Sequence, residues 1–170
     1  SGGEERILRY AKKTKSNVNS KNIIKLKTKI FNSYLKKNKL KLRTGVKEII
    51  KYCKQQEIKL AFVSSTSKNN INSIFFCLRD SLNKKDFDFI GNSKLVKKLK
   101  PSAEIYKLAL KELRLKPKEC IAIEDTQVSL NSAVKAKLKC FIFPGNFHRS
   151  KKFNGAFKEI SKINKNIFKS

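Results

Sequence analysis

A chain of 170 residues suits one domain, or one domain with a small appendage, and its 39% hydrophobic content allows a sizeable core. No apolar run approaches a membrane span and no signal-peptide pattern opens the chain, which excludes a membrane-spanning helix and points to a soluble protein of the cytoplasm or of an organelle stroma, with no membrane partner. The formal net charge of +28 invites a nucleic-acid reading, but the charge is nearly all lysine and runs along the whole chain rather than gathering in one stripe, so a basic nucleic-acid-binding module is kept only as an alternative.

Residues 1–40 read as two basic helices, RILRYAKK and NIIKLKTKIFNSYLKK, joined by a polar SNVNS turn with Asn19 or Ser20 as N-cap of the second. From Leu42 the rhythm changes. TGVKEIIKYCKQQ reads as a helix with Val46, Ile49, Ile50 and Cys53 on one face, and IKLAFVS as a buried strand ending at Ser64. STSKNNINSIFFCL reads as a capped helix, DFDFIG as a short strand, and PSAEIYKLALKEL as a helix with Pro101 at or just before its first turn. ECIAIED is the next strand, TQVSLNSAVKAK a helix, KCFIFPG the last strand, and FKEISKI a terminal helix. Alternating helices and short apolar strands predict an α/β fold, a parallel sheet with helices on both faces. Ligands in such folds bind beyond the C-terminal strand ends.

Three stretches stand at those ends. In VSSTSKNN, hydroxyl residues lead into a helix N-terminus, where free N–H groups suit an anion; a plain Ser/Thr cap has the same pattern. In VKKLKPSAEIY, Lys100 is held extended before Pro101 and can present a point charge to a phosphate; it can equally be one more surface lysine. In IAIEDT, the adjacent carboxylates Glu124 and Asp125 suit a hard cation such as Mg2+, or Asp125 caps the following helix. The cysteines Cys53, Cys77, Cys120 and Cys140 form no CxxC pair and read as free, mostly buried thiols, and His148 as a surface residue.

Taken together, in this order and on this fold, the three stretches resemble the haloacid dehalogenase-like (HAD) superfamily, from about Arg43 to Ala156. Thr44 stands where Pro is usual. SGGEER and FNGA are similar to stretches of its CbbY-like subgroup, the xylulose-bisphosphate phosphatase group. The resemblance implies a Rossmannoid core at 42–170 and the C-terminal part of a helical cap at 1–41. It also implies a monomer acting as a Mg2+-dependent phosphatase on a small phosphorylated metabolite, such as a sugar (bis)phosphate; a sugar phosphomutase of the same fold is the alternative. It assigns phosphate binding to Ser64, Ser65 and Lys100, with Lys100 catalytic, and metal binding to Asp125 with Glu124. Gly2, Gly3, Glu5 and Arg6 become cap residues that contact substrate.

One family element is missing. The nucleophilic Asp stands in an hhhhDxDGT stretch, and the only DxD here, Asp86-Phe87-Asp88, has neither the apolar strand before it nor the Thr after it. With no methionine anywhere, the expectation is a chain that begins inside the cap and, as written, does not turn over. The resulting sheet is expected to lack its central strand and to be marginally stable.

Overall fold

The computed structural model describes residues 3–37, 40–146 and 152–169. His148 and Gly2 lie outside them.

Two helices open the chain, α1 (Gly3–Thr14) and α2 (Ser20–Lys37). Asn19 caps α2: its Oδ1 accepts from the Asn22 N–H at 3.0 Å. No residue of α1 is buried. The inner side of α2 rests on α4 (Lys68–Cys77), with Leu35 buried and the Cys77 thiol donating to the Leu35 carbonyl. Its other apolar stripe, Leu26, Ile30 and Tyr34, is exposed.

The chain then turns into α3 (Val46–Gln55) at Gly45, which has φ +89°. A Cβ there would sit 2.0 Å from the Ile163 carbonyl oxygen, so only glycine fits this approach. The strands follow as expected, each shorter than its apolar run: β1 (Ala61–Val63), β2 (Phe89–Gly91), β3 (Ile121–Glu124) and β4 (Lys139–Ile142). The helices between them are α4, α5 (Glu104–Leu113) and α6 (Gln127–Lys135). Among the described residues all pairings are parallel, in two ladders, β1–β2 and β3–β4 extended by β5 (Lys158–Glu159).

Both faces are covered. Successive side chains of a strand point to opposite sides. Cys140 and Ile142 therefore enter a core with Ile105 and Tyr106 of α5 and Leu130 and Ala133 of α6. Phe141 and Phe143 enter the opposite core with Ile49 and Cys53 of α3 and with Ile163 and Ile167. This two-sided burial is why the strands read as apolar runs without alternation.

The C-terminal segment departs from the sequence expectation. FKEISKI is not a helix, and KCFIFPG is not the last strand. Lys158–Glu159 form β5, parallel to β4, flanked by bonds from the Phe157 N–H to the Cys140 carbonyl and from the Ile160 N–H to the Ile142 carbonyl. Pairing the open edge of β4 outweighs a weak helical pattern in a segment too short to hold its own turns. Ile163, spaced as a helix residue would be, instead buries against α3. A 3-10 turn over Lys165–Phe168 follows.

Candidate active site

The C-terminal ends of β1 and β3 carry the residues the sequence singled out. After β1, Ser64 continues the ladder, its N–H bonding the Gly91 carbonyl at 3.2 Å. Its Oγ accepts from the Thr66 N–H at 3.2 Å. The cap of α4 is Ser67, whose Oγ accepts from the Asn70 N–H. Capping therefore does not use Ser64 or Ser65, and both sit half-buried in the loop before the helix.

Lys100 reaches the same place from another segment. Its backbone N–H donates to Ser65 Oγ at 3.3 Å. The approach is fixed by Glu104, whose Oε2 accepts from the N–H groups of Lys97 and Lys98 at 2.9 and 3.0 Å. Ser132 adds a bond from its hydroxyl to the Ser102 carbonyl. Lys100 is 6% exposed, so the surface-lysine alternative does not hold. Its ammonium donates to the Val63 carbonyl at 3.1 Å and to Glu124 Oε1 at 2.5 Å. One cation thus ties the end of β1 to the end of β3.

Glu124 ends β3, and both of its described side-chain hydrogen bonds fall on Oε1, from Lys100 and from the Tyr106 hydroxyl. Asp125 is exposed beside it. The cap of α6 is Thr126, which accepts from the Ser129 N–H, so Asp125 is not the cap. Among the described residues no group of three His, Cys, Asp or Glu side chains could cage a metal ion. What stands here is an open, two-carboxylate end.

Two residues were missed by sequence reasoning. Tyr106 is buried, and burial pushes its phenol well above the usual tyrosine range, with the Glu124 charge and hydrogen bond adding to the effect. The signal was available, since a tyrosine on a core helix face requires a partner for its hydroxyl. The other is Arg43, whose guanidinium donates to the carbonyls of Phe143 at 2.5 Å and Pro144 at 2.8 Å and lies over the Phe143 ring. It anchors the segment leading into α3 beside the site, because the Phe143 N–H bonds the Glu124 carbonyl. Nothing local in the sequence announces that partnership, about a hundred residues away.

The remaining sequence candidates are not brought into this cluster. Gly3, Glu5 and Arg6 open α1, where Glu5 pairs with Arg9 at 3.6 Å. Among the described residues no hydrogen bond or ion pair joins them to Ser64, Lys100 or Glu124. Asp86 and Asp88 lie at the opposite, N-terminal end of β2. Asp86 pairs with Lys54 and caps a 3-10 turn, and Asp88 accepts from the Leu60 N–H.

The parallel α/β fold with helices on both faces is that of the haloacid dehalogenase-like hydrolases. The chain is a member of the haloacid dehalogenase-like hydrolase family, whose sequence profile matches residues 4–143. Among its relatives, the protein CbbY of Cereibacter sphaeroides is 32% identical over 158 residues, 91% of this chain and 69% of that protein. A CBBY-like protein of Arabidopsis thaliana is 26% identical, and there the matched region covers 91% of this chain and 52% of the relative. The crystal structure of CbbY from Rhodobacter sphaeroides in complex with phosphate superposes with a TM-score of 0.85 at 31% identity, over 95% of this chain and 73% of that one. CbbY from that organism has also been solved in complex with xylulose-(1,5)bisphosphate. A β-phosphoglucomutase from Clostridium difficile shares the fold, with a TM-score of 0.77 at 22% identity over 99% of this chain and 75% of that one. Among the described residues no helix is long and apolar enough to cross a membrane.

Proposed function

We propose that this site takes part in Mg2+-dependent hydrolysis of a phosphate ester on a small sugar, a sugar bisphosphate being the first candidate. The observation that carries the reading is the buried Lys100, whose backbone N–H bonds Ser65 Oγ while its ammonium bridges the Val63 carbonyl at the end of β1 and Glu124 at the end of β3. A transferring phosphoryl group would rest against the Ser64 hydroxyl, the Ser65 N–H and the Lys100 ammonium. Such transfer depends chiefly on positioning and on cations placed where negative charge develops. Lys100 sits in a nearly water-free spot, where its charge acts at higher strength than on the surface.

The acid pair fits Mg2+, which takes one or two carboxylates and leaves its other positions to water and substrate oxygens. Asp125 is suited as the direct ligand, since Thr126 carries the cap and, among the described residues, no hydrogen bond or ion pair engages its carboxylate. Glu124 stands beside it, held at Oε1. The ion, when bound, would neutralise phosphoryl charge and orient the group. Residues 42–170 would be the core and 1–41 part of a cap, whose Gly2, Gly3, Glu5 and Arg6 meet the far end of the substrate, Arg6 through a second phosphate.

A route through an aspartyl-phosphate needs one further carboxylate. Asp86 and Asp88 cannot supply it from the wrong end of β2. In this reading no described carboxylate is assigned as the nucleophile.

The test is Mg2+-dependent release of phosphate from sugar mono- and bisphosphates by the full-length protein. We expect release that is lost in Lys100→Ala and reduced in Ser64→Ala. An undiminished Lys100→Ala enzyme overturns the site, and conversion to an isomeric sugar phosphate instead of free phosphate selects the phosphomutase.

A further inference from the structure

Tyr106 touches both charged members of the site. Its hydroxyl donates to Glu124 Oε1, the same oxygen that accepts from Lys100. Its ring lies beneath the Lys100 ammonium, 4.9 Å from Nζ to the centroid. It is 7% exposed and held in the first turn of α5, six residues after Lys100, on a segment pinned by Glu104. We propose that Tyr106 is a positioning residue, whose hydroxyl holds Glu124 Oε1 while the Lys100 ammonium turns toward a bound phosphate.

The inference rests on the phosphate reading of this site. Its physical basis is the sharing of one oxygen. With phosphate absent, Oε1 takes a charged donor and a neutral one. A phosphate beside Ser64 and Ser65 offers the ammonium a second anion. With Lys100 as sole donor, any shift toward that anion would leave a nearly buried carboxylate oxygen unpaired, and such groups are costly to strip. The phenol keeps one hydrogen bond on Oε1 throughout, so the lysine can engage phosphate without orphaning Glu124. The ring face limits where the ammonium can go, through its attraction for a cation. A phenol is protonated at neutral pH and is therefore a donor to the carboxylate.

The experiment uses full-length protein carrying tyrosine labelled with carbon-13 at Cζ, titrated with inorganic phosphate in the presence of Mg2+. The Cζ resonance reports the hydrogen bonding of each phenol. We expect the Tyr106 signal to move with phosphate saturation while that of Tyr52, which packs against the α3 cluster on the opposite face of the sheet and stacks on Phe168, stays fixed. Tyr106→Phe keeps the ring and removes only the hydroxyl; phosphate should bind it about tenfold more weakly. A Tyr106 that only fills the core would give a fixed resonance and an unchanged affinity, and either result during saturable phosphate binding overturns the proposal. Should Tyr106→Phe not fold, the wild-type resonance decides, assigned through its coupling to the Tyr106 ring protons. Absence of saturable phosphate binding in the wild type removes the phosphate reading itself, and this proposal with it.

Discussion

Two lysine–carboxylate pairs stand at opposite ends of the strands and differ in nearly everything except distance. Lys54 and Asp86 meet at 2.7 Å at the N-terminal end, with side chains 51% and 18% exposed. Lys100 and Glu124 meet at 2.5 Å at the C-terminal end, 6% and 10% exposed. The first pair is solvated and ties α3 to a turn. The second was taken from water, a step whose desolvation cost can exceed the attraction between the charges. A protein gains little stability from such a pair over well-packed apolar side chains. It stands at the C-terminal end of a parallel sheet, where ligands bind in such folds, and this is the ground on which we propose for it a role in binding rather than folding.

The difference can be broken by removing one cation at a time. Lys100→Met should lose about 3–5 kcal/mol of stability, because Glu124 keeps a nearly buried charge whose remaining side-chain partner among the described residues is the Tyr106 hydroxyl. Denaturant melts of the two lysine variants measure this, and equal losses in Lys100→Met and Lys54→Ala would erase the distinction. Next in size is the coupling within the buried pair. Lys100→Met/Glu124→Gln should be more stable than the sum of its single variants allows, by roughly 0.5–3 kcal/mol, read from the same melts as a double-mutant cycle.

The buried end should also govern the alkaline limb. Burial, with the Glu124 charge adding and the Lys100 charge opposing, pushes the Cys140 thiol up to about 12 from its ordinary 9.0. A raised pKa contributes stability that is complete below the unfolded value and is lost as pH rises through the folded one. Melting temperature should therefore fall between pH 9 and about 12, and Cys140→Val should flatten that fall. The smallest effect belongs to the exposed end. Lys54→Ala should cost less than about 1 kcal/mol at neutral pH. The hydrogen bond from Lys54 holds the Asp86 carboxyl below its usual 3.8. That contribution is present above pH 3.8 and is lost as pH falls through the depressed folded value. Acid melts should show a shallower low-pH limb in Asp86→Asn than in the wild type.

Legibility followed the range of the interactions. Helices α1 to α6 were readable because a helix is specified by spacing within a few residues, and the cap of α2 by the Asn19 just ahead of it. The site was half readable. Ser64, Lys100, Glu124 and Asp125 could be placed at strand ends. The choice between capping and site roles required seeing that Ser67 and Thr126 do the capping. The terminal segment misled because its isoleucine spacing suits a helix, while the unpaired edge of β4 pulled it into a strand.

By itself the sequence determined the order of elements as far as β4, the burial of the strands on both faces and the set of polar groups available at their ends. These follow from local propensity and apolar periodicity, which each segment carries with it. Only the tertiary structure decided that Lys100 reaches Glu124, that Tyr106 shares the same oxygen and that Arg43 grips the end of β4. The partners in those contacts are 24, 18 and about a hundred residues apart. Their meeting depends on how helices pack on a twisted sheet, which no short window of sequence encodes.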